Sequence, residues 1–314
     1  MPHLKIPESK FVYNPDYRLP VEAIVQVDIA VVQRLGTRDN LGAIQLIHSM
    51  GKKVIYDLDD NLWNLPVWNP AYSSRFKQIR DLFDTCIREC DYVVASTNAL
   101  EAAIKRNVKV RVPIKVINNA VDFDLFYPLP EVERELVTVG WGGSPTHDKD
   151  IADVYALIPG LLSKNPKMRF ETVNAEIDKE FAEHPRVRPR LPVPIAEYPS
   201  RLASWRWDIF LAPLVDNSFN KSKSNIKMLE AAALKVPILV SPVAPYLDLC
   251  KLDKDLDFLL CRNLRQWEDK IAFLVNNAAA RKSYGSKLHD VARKHFDVSN
   301  MAKKWIDIFE RVSV

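Results

Sequence analysis

Three carboxylates stand close together at the end of an apolar run. In "KKVIYDLDDNLWNLP", residues 52–66, the run delivers Asp57, Asp59 and Asp60 onto a loop. At this spacing such residues can serve as a nucleophile with its proton-handling partner, as half of a metal site, or as turn residues that bond backbone N–H groups. A second group lies in "VTVGWGGSPTHDKDIADVYALI". There an apolar run ends at Gly142 and Gly143, Ser144, Thr146 and His147 follow, and a helix with Ile151, Val154, Tyr155 and Ile158 on its apolar face is predicted from about Thr146 to Ser163. Glycines next to a helix start let backbone N–H groups approach an anion, and the helix dipole favours phosphate there. The competing reading is a tight turn with Thr146 as N-cap.

The third group is the densest. "DIFLAPLVDNSFNKSKSNIKMLEAAALKVPILVS", residues 208–241, sets Lys221, Lys223 and Lys227 around the start of a helix, with Ser222 and Ser224 as candidate caps and Glu230 inside it. Cations at a helix N-terminus oppose its dipole, so an anionic ligand such as a diphosphate would resolve the conflict. Glu230 lies among Ile226, Leu229 and Ala233, where a carboxylate needs hydrogen-bond donors, for instance ligand hydroxyls. An exposed lysine turn with a surface glutamate is the alternative.

The elements that must hold these groups alternate along the chain. Short Val/Ile runs within "IVQVDIAVVQR", "KKVIYDL", "DYVVAST" and "IKVINNAVD" are separated by helical stretches, which predicts an α/β unit with a parallel sheet. After the proline-containing segment 124–131 the rhythm restarts with "LVTVGWGG", "MRFETVN", "DIFLAPLV", "VPILVS" and "DFLLC". With 314 residues and 47% hydrophobic content, two units are expected: 1–128, 129–295, and a closing helix 296–314. Two such sheets would put a ligand cleft at the C-terminal ends of their strands.

Composition narrows the class. No apolar run reaches the length of a membrane span, and "MPHLKIPESKFVYNPDYRLP" lacks a signal segment, so a cytoplasmic protein is expected. The four cysteines show no zinc spacing and are expected to be reduced. Net charge is +4, and the basic "HPRVRPR", residues 184–190, is expected to be a solvated loop, with nucleic acid or membrane binding as alternatives. Trp63, Trp68, Trp205 and Trp207 near basic residues would suit stacking on bases or sugars if exposed, and packing if not.

Two resemblances follow from these motifs. "VIYDLDDNLW" resembles the first motif of haloacid-dehalogenase-type phosphatases over about eight residues, but Asn61 stands where Thr is usual and none of the glycines precedes an Asp, as the magnesium motif of that family requires. Over nearly the whole chain the sequence is similar to GT-B-fold retaining glycosyltransferases of group 4: "DYVVAST", "INNAVDFDLFYP", "VGWGGSPTHDKD", "DIFLAPL", "NKSKSNIKMLEAAALKVPILVS" and "FDVSNMAKKWIDIF" occur in that order. This resemblance implies two Rossmann-like domains with the last helix returning to the first. It implies sugar transfer from a UDP- or GDP-linked donor to a hydroxyl with retention, and neither metal nor further cofactor. Glu230 would then hold the donor ribose, while Lys223, Ser224, Lys227 and the amides of Asn225 and Ile226 would meet the diphosphate. The loop of Gly142, Gly143, Ser144, Thr146 and His147 would close over it. Ser222 replaces the first Glu of the Glu-x7-Glu motif, and "GGSPTHDKD" replaces the usual Arg and Lys. Where relatives carry a His-Asp pair this chain has "YDLDD", so Asp59 first, then Asp57 and Asp60, are expected near the transferring sugar or the acceptor, which would be a glycan, a lipid-linked sugar or modified nucleic acid.

Overall fold

In the computed structural model the residues described are 24–33, 36–69, 74–174 and 178–313, without the side chains of 74–78 and 145. The proline-rich stretch 1–20 lies outside them. The described chain forms two compact units. Unit 1 takes residues up to Asn119, Lys221–Ser224 and Val298 onward; unit 2 takes Ala120–Asn220 and Asn225–Asp297. The chain enters unit 2 at Ala120, ahead of the proline-containing 124–131.

Unit 1 is a parallel sheet in the order β1-β2-β3-β4, from Ile29–Gln33, Lys53–Leu58, Tyr92–Ala95 and Ile114–Val116. The first strand begins five residues later than its apolar run suggests, because residues 24–25 form a helical turn, with Ile24 in the core, before the chain extends at Ile29. Helices α1 (Arg38–Ser49), α2 (Ser74–Glu89) and α3 (Asn98–Val108) link the strands. Strand order follows chain order, so right-handed crossovers set all three helices on one face. There Ile44, Ile47, Phe83, Ile87, Leu100 and Ile104 pack against Val54, Tyr56, Leu58 and Val93. Thr37 caps α1 reciprocally with Asn40, and Thr97 caps α3 by accepting from Leu100 N–H. The closing helix, Val298–Val312, belongs to this unit and buries Met301, Trp305, Ile308 and Val312, the spacing of one helical face.

Unit 2 is a five-stranded parallel sheet in the order β7-β6-β5-β8-β9: β5 Val137–Gly142, β6 Met168–Val173, β7 Val187–Arg190, β8 Ile209–Ala212 and β9 Ile238–Val240. Both faces are covered. Val139, Trp141, Phe170, Ile209, Leu211 and Leu239 point to one core; Val173, Phe210, Ala212, Ile238 and Val240 point to the other. Strand order reverses between β5 and β8, where open α/β sheets bind ligands.

Four expectations are corrected in this unit. The basic 184–190 segment is not a solvated loop: Val187–Arg190 is the edge strand, where Pro189 costs no ladder bond to an outer neighbour. "DFLLC" is not a strand; Asp253 caps a 3-10 helix over Lys254–Leu259, and only Leu260 bridges to Val240. The helix foreseen over 146–163 is two, Asp148–Tyr155 (α4) and Ile158–Lys164 (α5), because Pro159 has no N–H with which to continue the first. Position 147, not Thr146, is the N-cap of α4, and its side chain makes no capping bond.

The four cysteines are buried and unpaired. Burial pushes the Cys86 thiol up to about 11 and those of Cys250 and Cys261 to about 12, so none is poised as a nucleophile. Among the described residues no helix is long and apolar enough to cross a membrane, and no group of three or more His, Cys, Asp or Glu is arranged to hold a metal ion.

Candidate active site

The C-terminal ends of β5, β6 and β7 in unit 2 surround a pocket of about 260 Å³. Gly142, Gly143, Ser144 and His147 come from the β5 loop, Val173 and Asn174 from the end of β6, and Pro192 and Val193 from the segment after β7. Tyr198 and Trp205 come from helix Tyr198–Trp205, and Lys227 from helix Ile226–Ala233. The apolar β strands carry these residues to one rim because parallel strands end together. Of the glycines, Gly143 is required by contact: a Cβ there would stand 2.7 Å from the Trp141 ring and 3.3 Å from His147 Cβ. Its N–H donates to Val173 O and that of His147 to Ser144 O, so these two amides are engaged within the protein.

Trp205, in the wall of the pocket, and Trp207 behind it are packed, not offered to bases. Trp205 and Trp207 are buried and stack at 5.4 Å, Trp207 Nε1 donates to Glu171 Oε2, and Arg190 Nε donates to the same oxygen at 2.7 Å. Gly140 exists for Trp207, whose ring would be 1.9 Å from an added Cβ. In unit 1 Trp63 is half-buried and donates to Asp84, leaving Trp68 exposed.

Glu230 is buried in the helix Ile226–Ala233, as its apolar neighbours require, and it has donors: Tyr198 Oη at 2.9 Å and Lys227 Nζ at 3.0 Å both meet Oε2. Lys227 Nζ also donates to Tyr198 Oη at 3.0 Å and lies 5.3 Å from the centre of its ring. Burial raises the Tyr198 phenol and the Glu230 charge raises it further. Burial works against the Lys227 ammonium, but Glu230 and Tyr198 outweigh it and hold the cation charged. Asn225 is the cap residue of this helix and makes no side-chain capping bond; neither Ser222 nor Ser224 caps it.

His147 is likewise held. Its Nδ1 lies 2.8 Å from Oδ2 of Asp150, one turn on in α4, and Asp150 Oδ1 accepts from Val215 N–H at 2.8 Å and Asn220 Nδ2 at 2.7 Å. Asp150 thus joins the loops after β5 and β8. Its i,i+3 spacing from His147 is legible in "THDKD", whereas Tyr198, brought in from a separate helix, has no such signal.

The remaining sequence candidates lie in unit 1. Asp57 is still within β2, in register with Gln33, whose Nε2 donates to its Oδ2 at 3.1 Å. Asp59 O accepts from Ser96 Oγ, and Asp60 Oδ1 is 3.7 Å from Lys223 Nζ. The strap Lys221–Ser224 is tied down here: Asn61 donates to Ser222 Oγ at 3.0 Å, Thr97 Oγ1 to Ser222 O at 2.8 Å, and Asn119 to Ser224 Oγ at 3.0 Å. Lys223 therefore shares its charge with Asp60.

No protein-family model matches the sequence, and no curated protein matches it. Solved structures do match. TarM is 15% identical with a TM-score of 0.60 over 90% of this chain and 54% of its own. Anabaena HepE in complex with UDP-glucose is 14% identical with a TM-score of 0.65, over 93% of this chain and 80% of its own. The chain has the GT-B fold. Sucrose-phosphate synthase from Thermosynechococcus elongatus shares it at 12% identity and a TM-score of 0.64, over 90% of this chain and 73% of its own. This GT-B chain spans about half the length of TarM.

Proposed function

We propose that this GT-B chain is a glycosyltransferase that moves a hexosyl group from a UDP- or GDP-linked donor to an acceptor hydroxyl, with retention and without a metal. The observation that carries the proposal is the unit 2 pocket, in which His147, Lys227 and Tyr198 converge at the strand ends, the last two bonded to Glu230, in a fold shared with HepE, solved in complex with UDP-glucose.

In transfer, the bond between the anomeric carbon and the diphosphate oxygen breaks, the acceptor oxygen bonds that carbon, and the acceptor proton is released. Negative charge grows on the departing diphosphate, so fixed cations and N–H donors beside it lower the barrier. His147 and Lys227 are assigned that task, with the β5 loop from Gly142 to Thr146 enclosing the phosphates. Glu230 takes the ribose hydroxyls on its Oε1, which has no protein donor among the described residues, beside the Oε2 already bonded by Tyr198 and Lys227. Lys223, Ser224, Asn225 and Ile226 stay assigned to the diphosphate, which for Lys223 requires leaving Asp60. In unit 1, Asp59, then Asp57 and Asp60, are assigned to the acceptor hydroxyl of a glycan, a lipid-linked sugar or modified nucleic acid.

A thermal-shift panel of UDP, GDP, ADP, CMP and their sugars, with and without EDTA, tests the reading. A ligand at about 100 times its Kd adds roughly 2.7 kcal/mol, worth about 5–10 °C for a unit of this size. Silence from every nucleoside diphosphate refutes the donor assignment. Transfer that EDTA abolishes and Mn²⁺ restores refutes the metal-free mechanism.

A further inference from the structure

The loop after β5 carries no arginine or lysine between Gly142 and His147, yet a diphosphate in this pocket needs a counter-charge at that wall. The structure supplies an imidazole there and builds a buried carboxylate behind it. Asp150 is 8% exposed, and its side chain meets three donors: Val215 N–H and Asn220 Nδ2 on Oδ1, and His147 Nδ1 on Oδ2. Asn220, itself buried, also donates Nδ2 to Val215 O and takes Asn217 Oδ1 on its own N–H, so the β8 loop is folded around Oδ1. Tying that loop to α4 needs only Oδ1. The second oxygen is spent on the histidine.

A carboxylate that accepts from Nδ1 fixes the ring plane and keeps a hydrogen on Nδ1, leaving Nε2 as the polar atom for a ligand. Among the described residues Nε2 has no protein hydrogen bond, and the ring lines the pocket. The lysine of the lining, Lys227, is already paired with Glu230.

We infer that Asp150 is a positioning residue that holds His147 as an imidazolium, with Nε2–H directed at the donor diphosphate. This rests on the donor reading above. In the complex the ring stands between two anions, donating Nδ1–H to Asp150 and Nε2–H to the diphosphate.

The test is a double-mutant cycle read by calorimetry with UDP and GDP, each against its nucleoside, together with ¹⁵N-histidine NMR of the unmodified chain. A charge-assisted bond is roughly twice as strong as a neutral one. His147→Ala is therefore expected to weaken nucleoside diphosphate binding about tenfold and leave the nucleoside unaffected. Asp150→Asn reverses the inner hydrogen bond, because the amide donates to Nδ1; the ring becomes a neutral Nε2–H donor and binding weakens by several-fold. In the His147→Ala background Asp150→Asn is expected to add less than about twofold, the non-additivity of residues that act through each other. In the unmodified chain both ring nitrogens are expected to carry hydrogen once UDP or GDP is bound, a readout that needs no variant to fold. If no nucleoside diphosphate binds the unmodified chain, the donor reading falls and this inference with it. If one binds but the His147→Ala effect is below twofold, the two effects add, or Nε2 is unprotonated in the complex, the donor reading stands and the role of Asp150 is overturned.

Discussion

Replacing Glu230 by Gln keeps the shape of the side chain and one acceptor oxygen but removes the charge. In the native chain Oε2 meets Tyr198 Oη at 2.9 Å and Lys227 Nζ at 3.0 Å. Two unit charges at about 3 Å attract by roughly 5.5 kcal/mol at an effective dielectric of about 20, before desolvation is subtracted. The lysine side chain is 34% exposed, so water screens its share, while the glutamate side chain is 9% exposed and carries most of the desolvation cost. Hydrogen bonds to charged groups are worth about 1.5–3 kcal/mol each, and the Tyr198 bond survives as a neutral one. The expected loss is therefore about 2 kcal/mol, or roughly 4–8 °C in Tm for a unit of this size. In the proposed reading the same carboxylate accepts from ribose, so UDP or GDP affinity should fall about tenfold or more, measured well below both melting points. Lys227→Met in the same cycle should reveal a coupling of about 1 kcal/mol with Glu230→Gln. A Tm change under 1 °C with no coupling would refute the stabilising role of the pair; unchanged nucleotide affinity would refute the ribose assignment.

Gly140→Ala drives a Cβ to within 1.9 Å of Trp207. It should cost about 1–3 kcal/mol or more, read as a lower denaturation midpoint and an altered tryptophan near-UV spectrum, because Trp205 must shift with its stacking partner; an unchanged midpoint would contradict the packing. Thr172 is buried with a hydroxyl that has no partner among the described residues. Thr172→Val should raise stability by about 1 kcal/mol in urea titration, since an unsatisfied buried group is removed, and a loss above that size would mean the hydroxyl is bonded after all. His289 is buried against Ala232 O, and burial lowers its pKa from an ordinary value of 6.5. The unfolded chain then binds more protons, so the stability present above about pH 6.5 should be lost as pH falls, and the urea midpoint should drop between pH 7.5 and 5.5. His289→Gln, which can still donate to Ala232 O, should flatten that dependence; an equal slope would assign it to other groups.

The sheets were legible because their signal is one-dimensional. A strand buried on both faces must be a continuous apolar run, and "KKVIYDL", "LVTVGW" and "DIFLAPL" have no other economical fold. The edge strand β7 was not, since an edge tolerates Arg188 and Pro189 and so hides among loop residues. The split at Pro159 was legible in principle and overridden by the apolar stripe on either side of it.

At the site, the division falls between what one segment states and what two segments make together. Glu230 could be found from its own helix, because a carboxylate amid Leu229 and Ala233 demands donors. That its donors are Tyr198 and Lys227 could not, because Tyr198 arrives from a different helix. The same holds for the strap: serines and lysines ahead of a helix read as caps and anion ligands, yet Ser222, Lys223 and Ser224 spend their polar groups on Asn61, Thr97, Asp60 and Asn119. A motif read along the chain identifies polar groups that need partners. Whether the partner is ligand or protein is decided by what the sheet topology delivers to the same strand end, and Asp150, bonded at once to the loops after β5 and β8 across the point where strand order reverses, is the residue where both answers meet.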